Sequence, residues 1–153
     1  MKKRVGVISD THGLLRESAA AALHGCDLIL HAGDIDHQGV FDALAAIAPV
    51  VAVRGNMDRG EWADRLPVFE TVTVAGADIY MLHDLLALDL DPAGYFAVVV
   101  HGHTHAPSRT VKDGVLYFNP GSAGPRRSSL PVSVGVLTIE EASVKGTWVM
   151  LDA

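Results

Sequence analysis

Seven candidate metal ligands, Asp10, His12, Asp34, Asn56, His83, His103 and His105, fall into five short clusters: Asp10-x-His12, Gly33-Asp34, Gly55-Asn56-x-Asp58, His83, and Gly102-His103-Thr104-His105. In extended backbone, residues i and i+2 face one side, so Asp10 with His12, and His103 with His105, can each approach a common centre. Glycines at 33, 55 and 102 allow sharp turns beside them. Imidazoles, carboxylates and an amide oxygen form a mixed nitrogen and oxygen set that suits Mn²⁺, Fe²⁺ or Zn²⁺. Asp10, His12, Asp34, Asn56, His83, His103 and His105 together exceed what one tetrahedral zinc takes. Two ions roughly 3.5 to 4 Å apart, bridged by a carboxylate, account for the surplus; such a pair lowers the pKa of a bridging water and clamps the attacking and leaving oxygens of a displacement at phosphorus.

For these clusters to meet, each must stand at the end of a strand. "RVGVIS" (4 to 9) leads into Asp10, "LILHAGD" into Asp34, and "VVAVRGN" into Asn56, while "IYML" runs into His83 and "AVVV" into the stretch 101 to 105. Between the first three strands, Leu15, Ala19, Ala22 and Leu23 share one helical face; Val40, Leu44 and Ile47 share another, which Pro49 stops. Alternating strands and helices predict parallel pairing with right-handed crossovers. The carboxyl ends of parallel strands line the crevice where open α/β sheets bind ligands. From about residue 67 the pattern changes to hairpins: two strands around Gly76, a turn signal at Asp113-Gly114, and two strands in "SVGVLTIEEASVKGTWVML". The expected class is α/β, with two sheets packed together and helices outside.

Bulk properties exclude several alternatives. With 153 residues the chain suits one domain, able to bury roughly 70% of its unfolded surface. The apolar share of 49% excludes disorder, and a net charge of −6 argues against broad binding to nucleic-acid polymers or anionic membranes. Cys26 is the only cysteine, which points to a reducing cytosolic compartment and to a thiol that fills core space. The apolar stretch of the opening "MKKRVGVISD" meets Asp10 too soon for a signal peptide, and "ALAAIAPVVAV" is too short for a membrane span. A cytoplasmic protein is expected.

In order and approximate spacing, the five clusters resemble the calcineurin-like metallophosphoesterases. "HAGD", "GNMD", "GHTH" and "NPGS" (119 to 122) are similar to the small single-domain branch of bacterial and archaeal phosphodiesterases, to which the scaffold subunit of eukaryotic retromer is also similar. The resemblance covers essentially the whole chain, and implies a four-layer αββα sandwich of two mixed sheets flanked by helices, spanning residues 1–153 as one domain. It implies two divalent ions, manganese favoured over iron, zinc or nickel. Asp10, His12, Asp34 and His105 would hold one, and Asp34, Asn56, His83 and His103 the other, with Asp34 bridging. A hydroxide between the ions would attack phosphorus. Asp34, Asn56 and His103 would be the catalytic set, Asn56 donating its amide N–H to a substrate oxygen. The implied activity is hydrolysis of a small phosphodiester, with a phosphomonoesterase or a retromer-like binding scaffold as alternatives. Homo-oligomers are frequent in the family, and a hairpin-rich half offers strand edges for them.

Several positions depart from the family or read more plainly. The phosphoprotein-phosphatase branch has a histidine after the asparagine that protonates the leaving oxygen; here Met57 stands there and cannot donate a proton. Good leaving groups are therefore expected of the substrate. Asp84 follows His83 where glycine is common, and the stretch 84 to 96 is short, predicting an open cleft. Asp58 reads as a partner that orients a ligand histidine more readily than as an acid. Arg126 and Arg127 are candidate phosphate contacts, through guanidinium forks. Asn119 and Gly121 are expected to shape the loop beneath the metals, His31 and His101 to be packed, His24 and His37 solvated, and Trp62 a core or subunit contact. The metallo-β-lactamase pattern needs Asp and His after "HGHTH", but Ala106-Pro107 follow, and Gly121-Ser122-Ala123-Gly124 lacks the elbow of a serine hydrolase.

Overall fold

The computed structural model describes residues 1–151. β1 (Lys2–Ile8), β2 (Leu28–His31) and β3 (Val50–Ala52) run parallel, joined by α1 (Glu17–Leu23) and α2 (Gln38–Ala45). The Ala-rich α1 has strong helix propensity, and its chain turns back at Gly25, which takes φ +85°. After α3 (Glu61–Asp64) come β4 (Phe69–Val74) and β5 (Ala77–Leu82), a hairpin about Ala75 and Gly76. β6 (Val98–Val100) and β8 (Val115–Asn119) then extend the second sheet in parallel, with β7 (Ser108–Lys112) antiparallel at its edge. β9 (Ser133–Glu140) and β10 (Ser143–Met150) return to the first sheet, β9 lying antiparallel to β1. The orders are β10-β9-β1-β2-β3 and β4-β5-β6-β8-β7.

The sandwich is held by apolar faces that alternate along each strand. Val5, Val7 and Leu30 of the first sheet meet Ile79, Val98, Val100 and Phe118 of the second, all without exposure to solvent. Phe118 stacks on Trp148, ring centres 5.5 Å apart. On the other face of the first sheet, Ala19 and Leu23 of α1 and Val40 and Leu44 of α2 pack on Ile8 and Ile29, with Trp62 partly buried beside them. Each such side chain contributes about 1.5 to 3 kcal/mol by leaving water. The outer face of the second sheet has a thinner cover. Leu85, Leu88 and Phe96, from a loop with one 3₁₀ turn (Leu85–Ala87), shield Tyr80, Leu82 and Val99. Cys26 is buried, as its core reading requires, and burial raises its thiol pKa. No helix among the described residues is long and apolar enough to cross a membrane.

Candidate metal centre

The two sheets bring their strand ends to one side. β1 delivers Asp10 and His12, β2 Asp34, β3 Asn56, β5 His83, and β6 His103 and His105. The loops are stitched together by backbone hydrogen bonds, Asp10 N–H to Gly33 O, His12 N–H to Asp34 O (both 3.0 Å) and Gly102 N–H to His83 O (2.9 Å). Five of the seven candidate ligands, Asp10, His12, Asp34, His103 and His105, hold left-handed backbone, with φ between 47° and 70°. Asp and His tolerate that region better than most residues. The glycines between them permit close approach. A Cβ on Gly55 would collide with the backbone nitrogen and carboxylate of Asp34, and one on Gly102 with the Ser9 hydroxyl.

Two acceptor-rich groups form, Asp10 with His12 and His105, and Asp10 with Asp34 and His83. Asp10 Oδ2 is satisfied by the Ser9 hydroxyl (2.6 Å) and by His103 N–H (3.1 Å). Asp10 Oδ1 is buried with no hydrogen-bond partner, yet lies 3.4 Å from His105 Nε2 and 3.9 Å from the Nε2 atoms of His12 and His83. His12 Nε2 and His105 Nε2 are 3.4 Å apart. Asp34 Oδ1 accepts from Met57 N–H at 2.8 Å, leaving Oδ2 3.2 Å from His83 Nε2 and 3.8 Å from His12 Nε2. His83 Nδ1 donates to Ala32 O at 2.8 Å, so its Nε2 presents a lone pair to Asp34 Oδ2 and to Asn56 Oδ1, 2.9 Å away. Carboxylate, amide and imidazole donor atoms converging on one point are what a cation would satisfy, so the donor set fits divalent ions.

With no ion in place, the carboxylates of the cluster favour a proton on His83. Burial opposes a charge on His83, but Asp34 and Asp10 around Nε2 more than offset it and raise its pKa. Burial likewise opposes charge on Asp34, and His83 and the Met57 N–H overcome it, holding its pKa low. His105 is shifted down by burial, assisted by Arg127 and His12. His103 stands at the rim, its side chain 43% exposed, edge-on to His83 with ring centres 5.2 Å apart. Asn56 is exposed, reached through its contact with His83. Arg126 and Arg127 sit on an exposed loop; Arg127 is close enough to act on His105, and no contact ties Arg126 to the centre.

Asp58 has a different task from the expected one. Among the described residues its hydrogen bonds go to backbone amides and to no histidine: its Oδ2 accepts from Asp34 N–H (3.0 Å) and Gly55 N–H (2.9 Å), and its Oδ1 from Asp36 N–H (2.8 Å). Three strand-end amides left without ladder partners demand an acceptor, and a buried carboxylate satisfies them better than an imidazole could. Asn119 holds the loop of His103, its amide donating to Gly102 O and Thr104 Oγ1 while Gly121 N–H donates back to it. Ser9 and Ser122, whose hydroxyls reach the Asp10 carboxylate and carbonyl, escaped sequence reasoning; only adjacency to Asp10 marks Ser9.

His31 and His101 are buried, as packed residues. Gly33 N–H donates to His31 Nδ1, so its Nε2–H donates to Thr11 Oγ1 at 3.0 Å. Burial lowers the pKa of His31 to about 3 and that of His101 to about 4. Both lie below the unfolded value of about 6.5, so on acidification the unfolded chain binds protons that the fold refuses. Their contribution is complete above about pH 6.5 and is lost as pH falls toward 3. The melting temperature of the metal-free protein should therefore drop between pH 6.5 and 4, and a flat profile there would contradict neutral burial.

Comparison with known proteins decides the family. Residues 3–142 match the model of the calcineurin-like phosphoesterase superfamily domain. The chain belongs to that superfamily. It is similar to a probable metallophosphoesterase of Methanothermobacter thermautotrophicus, 35% identical over 152 residues covering 89% of this chain and 86% of that one. It is also similar to the phosphodiesterase YfcE of Escherichia coli K12, 28% identical with 89% and 88% covered. The fold matches that of vacuolar protein sorting 29 from Cryptosporidium parvum, with a TM-score of 0.77, 19% identity and 99% of each chain covered. The superfamily's four-layer sandwich is thus present, its outermost layer over the second sheet reduced to the 3₁₀ turn and loop.

Proposed function

We propose that this calcineurin-like chain is a dinuclear metal-dependent phosphodiesterase, residues 1–153 acting as one domain. Asp10, His12, Asp34 and His105 would hold one ion, and Asp34, Asn56, His83 and His103 the other. The observation that carries this reading is the buried Asp10 Oδ1, which lacks any hydrogen-bond donor while three imidazole nitrogens stand within 3.9 Å. When bound, divalent ions supply Lewis acidity toward phosphoryl oxygens and activate water for attack at phosphorus.

The chain's own groups do the rest. Asp34, with one oxygen fixed by Met57 N–H, keeps the other aimed between His12 and His83. Ala32 O holds the His83 tautomer in which Nε2 is free to bind a cation. The exposed Asn56 directs its amide N–H to a substrate oxygen, and His103 and Asp34 complete the catalytic set. Arg127, and Arg126 beside it, contact the phosphate. Met57 is 42% exposed next to Asn56 and offers no proton, so the leaving oxygen must depart as a stable anion or take its proton from water. Manganese is the favoured ion, with iron, zinc or nickel as alternatives; the substrate is a small phosphoester.

The test is hydrolysis by metal-stripped protein reloaded with Mn²⁺, Zn²⁺ or Mg²⁺. Bis-p-nitrophenyl phosphate should be turned over only after reloading, most rapidly with Mn²⁺. A folded, metal-loaded protein that hydrolyses neither this diester nor its monoester would overturn the reading in favour of a binding scaffold.

A further inference from the structure

Beside the proposed centre a cavity of about 260 Å³ opens to solvent. Asn56, His83 and His103 line it together with Val68, Ala87 and Asp84. Val68 is 55% exposed, although it is a branched apolar side chain next to a polar centre. Asp84 is fixed in place. Its Oδ1 accepts from Leu86 N–H at 3.0 Å, capping the 3₁₀ turn, which leaves Oδ2 3.9 Å from His103 Nε2. The cation lining the same cavity, Arg54, already has a carboxylate, Asp64, at 3.7 Å. The lining thus offers apolar surface and a negative charge, and its one cation is engaged.

We infer that Asp84 and the Val68–Ala87 wall select diesters bearing a neutral, apolar or aromatic second arm, and disfavour phosphomonoesters. The inference rests on the phosphoesterase reading. A monoester at neutral pH carries a second negative charge where a diester carries an organic group. The Asp84 carboxylate repels that charge across the cavity. The same pocket takes an arm of phenyl size, and Val68 and Ala87 gain by leaving water against it.

Three p-nitrophenyl esters with a constant leaving group test this on Mn²⁺-loaded protein: the monoester, the methyl diester and the phenyl diester. The phenyl diester should exceed the methyl diester in kcat/KM by about tenfold, a difference of about 1.4 kcal/mol. Val68→Ser should bring that ratio near one. Asp84→Asn, whose amide oxygen can still cap the turn, should raise the monoester to methyl-diester ratio about fivefold. Both side chains lie at or near the surface, so neither variant threatens the fold. Ratios within twofold of wild type in both variants overturn the inference while leaving the phosphoesterase reading intact. If no ester is hydrolysed, that reading fails, and methyl NMR of Val68 and Ala87 in Zn²⁺-loaded protein titrated with diphenyl phosphate decides the pocket alone. Saturable shifts uphold it as a binding site for an aryl arm, and unmoved methyls overturn it.

Discussion

Asp34→Asn should lower kcat/KM for a phosphodiester by about 10³-fold or more while leaving the fold standing, a loss of about 4 kcal/mol in transition-state stabilisation. Asp34 Oδ1 is committed to Met57 N–H, so only Oδ2 faces His83 and His12. An asparagine that keeps the first bond turns its NH₂ toward those imidazoles. A donor then stands where the proposed ions need an oxygen, and a negative charge is gone. Metal content by elemental analysis should fall with activity. Turnover within tenfold of wild type with two ions still bound would remove Asp34 from the mechanism.

Asp58→Ala should be the most destabilising single change near the centre, by about 3 to 5 kcal/mol. The side chain is buried, and its truncation strands the N–H groups of Asp34, Gly55 and Asp36 together. Water entering the gap can recover part of this, which is why the full sum of three charged hydrogen bonds is not expected. Asp34 loses its backbone anchor as well, so activity should fall about 100-fold even at temperatures where the variant is folded. Urea unfolding gives the stability and initial rates the activity; a change below about 1 kcal/mol would show that the three amides find other partners. Asp58→Asn, retaining one acceptor oxygen, should fall between the two.

The centre was legible in the sequence because its signals are local. A strand of alternating apolar residues ending in Asp-x-His or Gly-Asp needs only the period of a strand to be read. The parallel order of β1, β2 and β3 followed from the helices between them. The return of β9 to lie beside β1 was not legible, because antiparallel pairing across more than 120 residues leaves no local trace. Asp58 was misread for a related reason. A carboxylate two residues after a candidate ligand looks like a partner for side chains, and only the folded loop reveals three unpaired amides around it. The cavity beside Asp84 was foreshadowed only by the shortness of the stretch 84 to 96.

Left-handed backbone at Asp10, His12, Asp34, His103 and His105 withholds stability from the domain. Each such residue costs on the order of 1 kcal/mol relative to glycine, so together they withhold about 5 kcal/mol from a domain whose whole stability is of order 5 to 15 kcal/mol. Glycine at the rim residue His103 should recover most of its share, whereas at Asp10 or Asp34 it would also strand the N–H and O–H groups that their carboxylates accept.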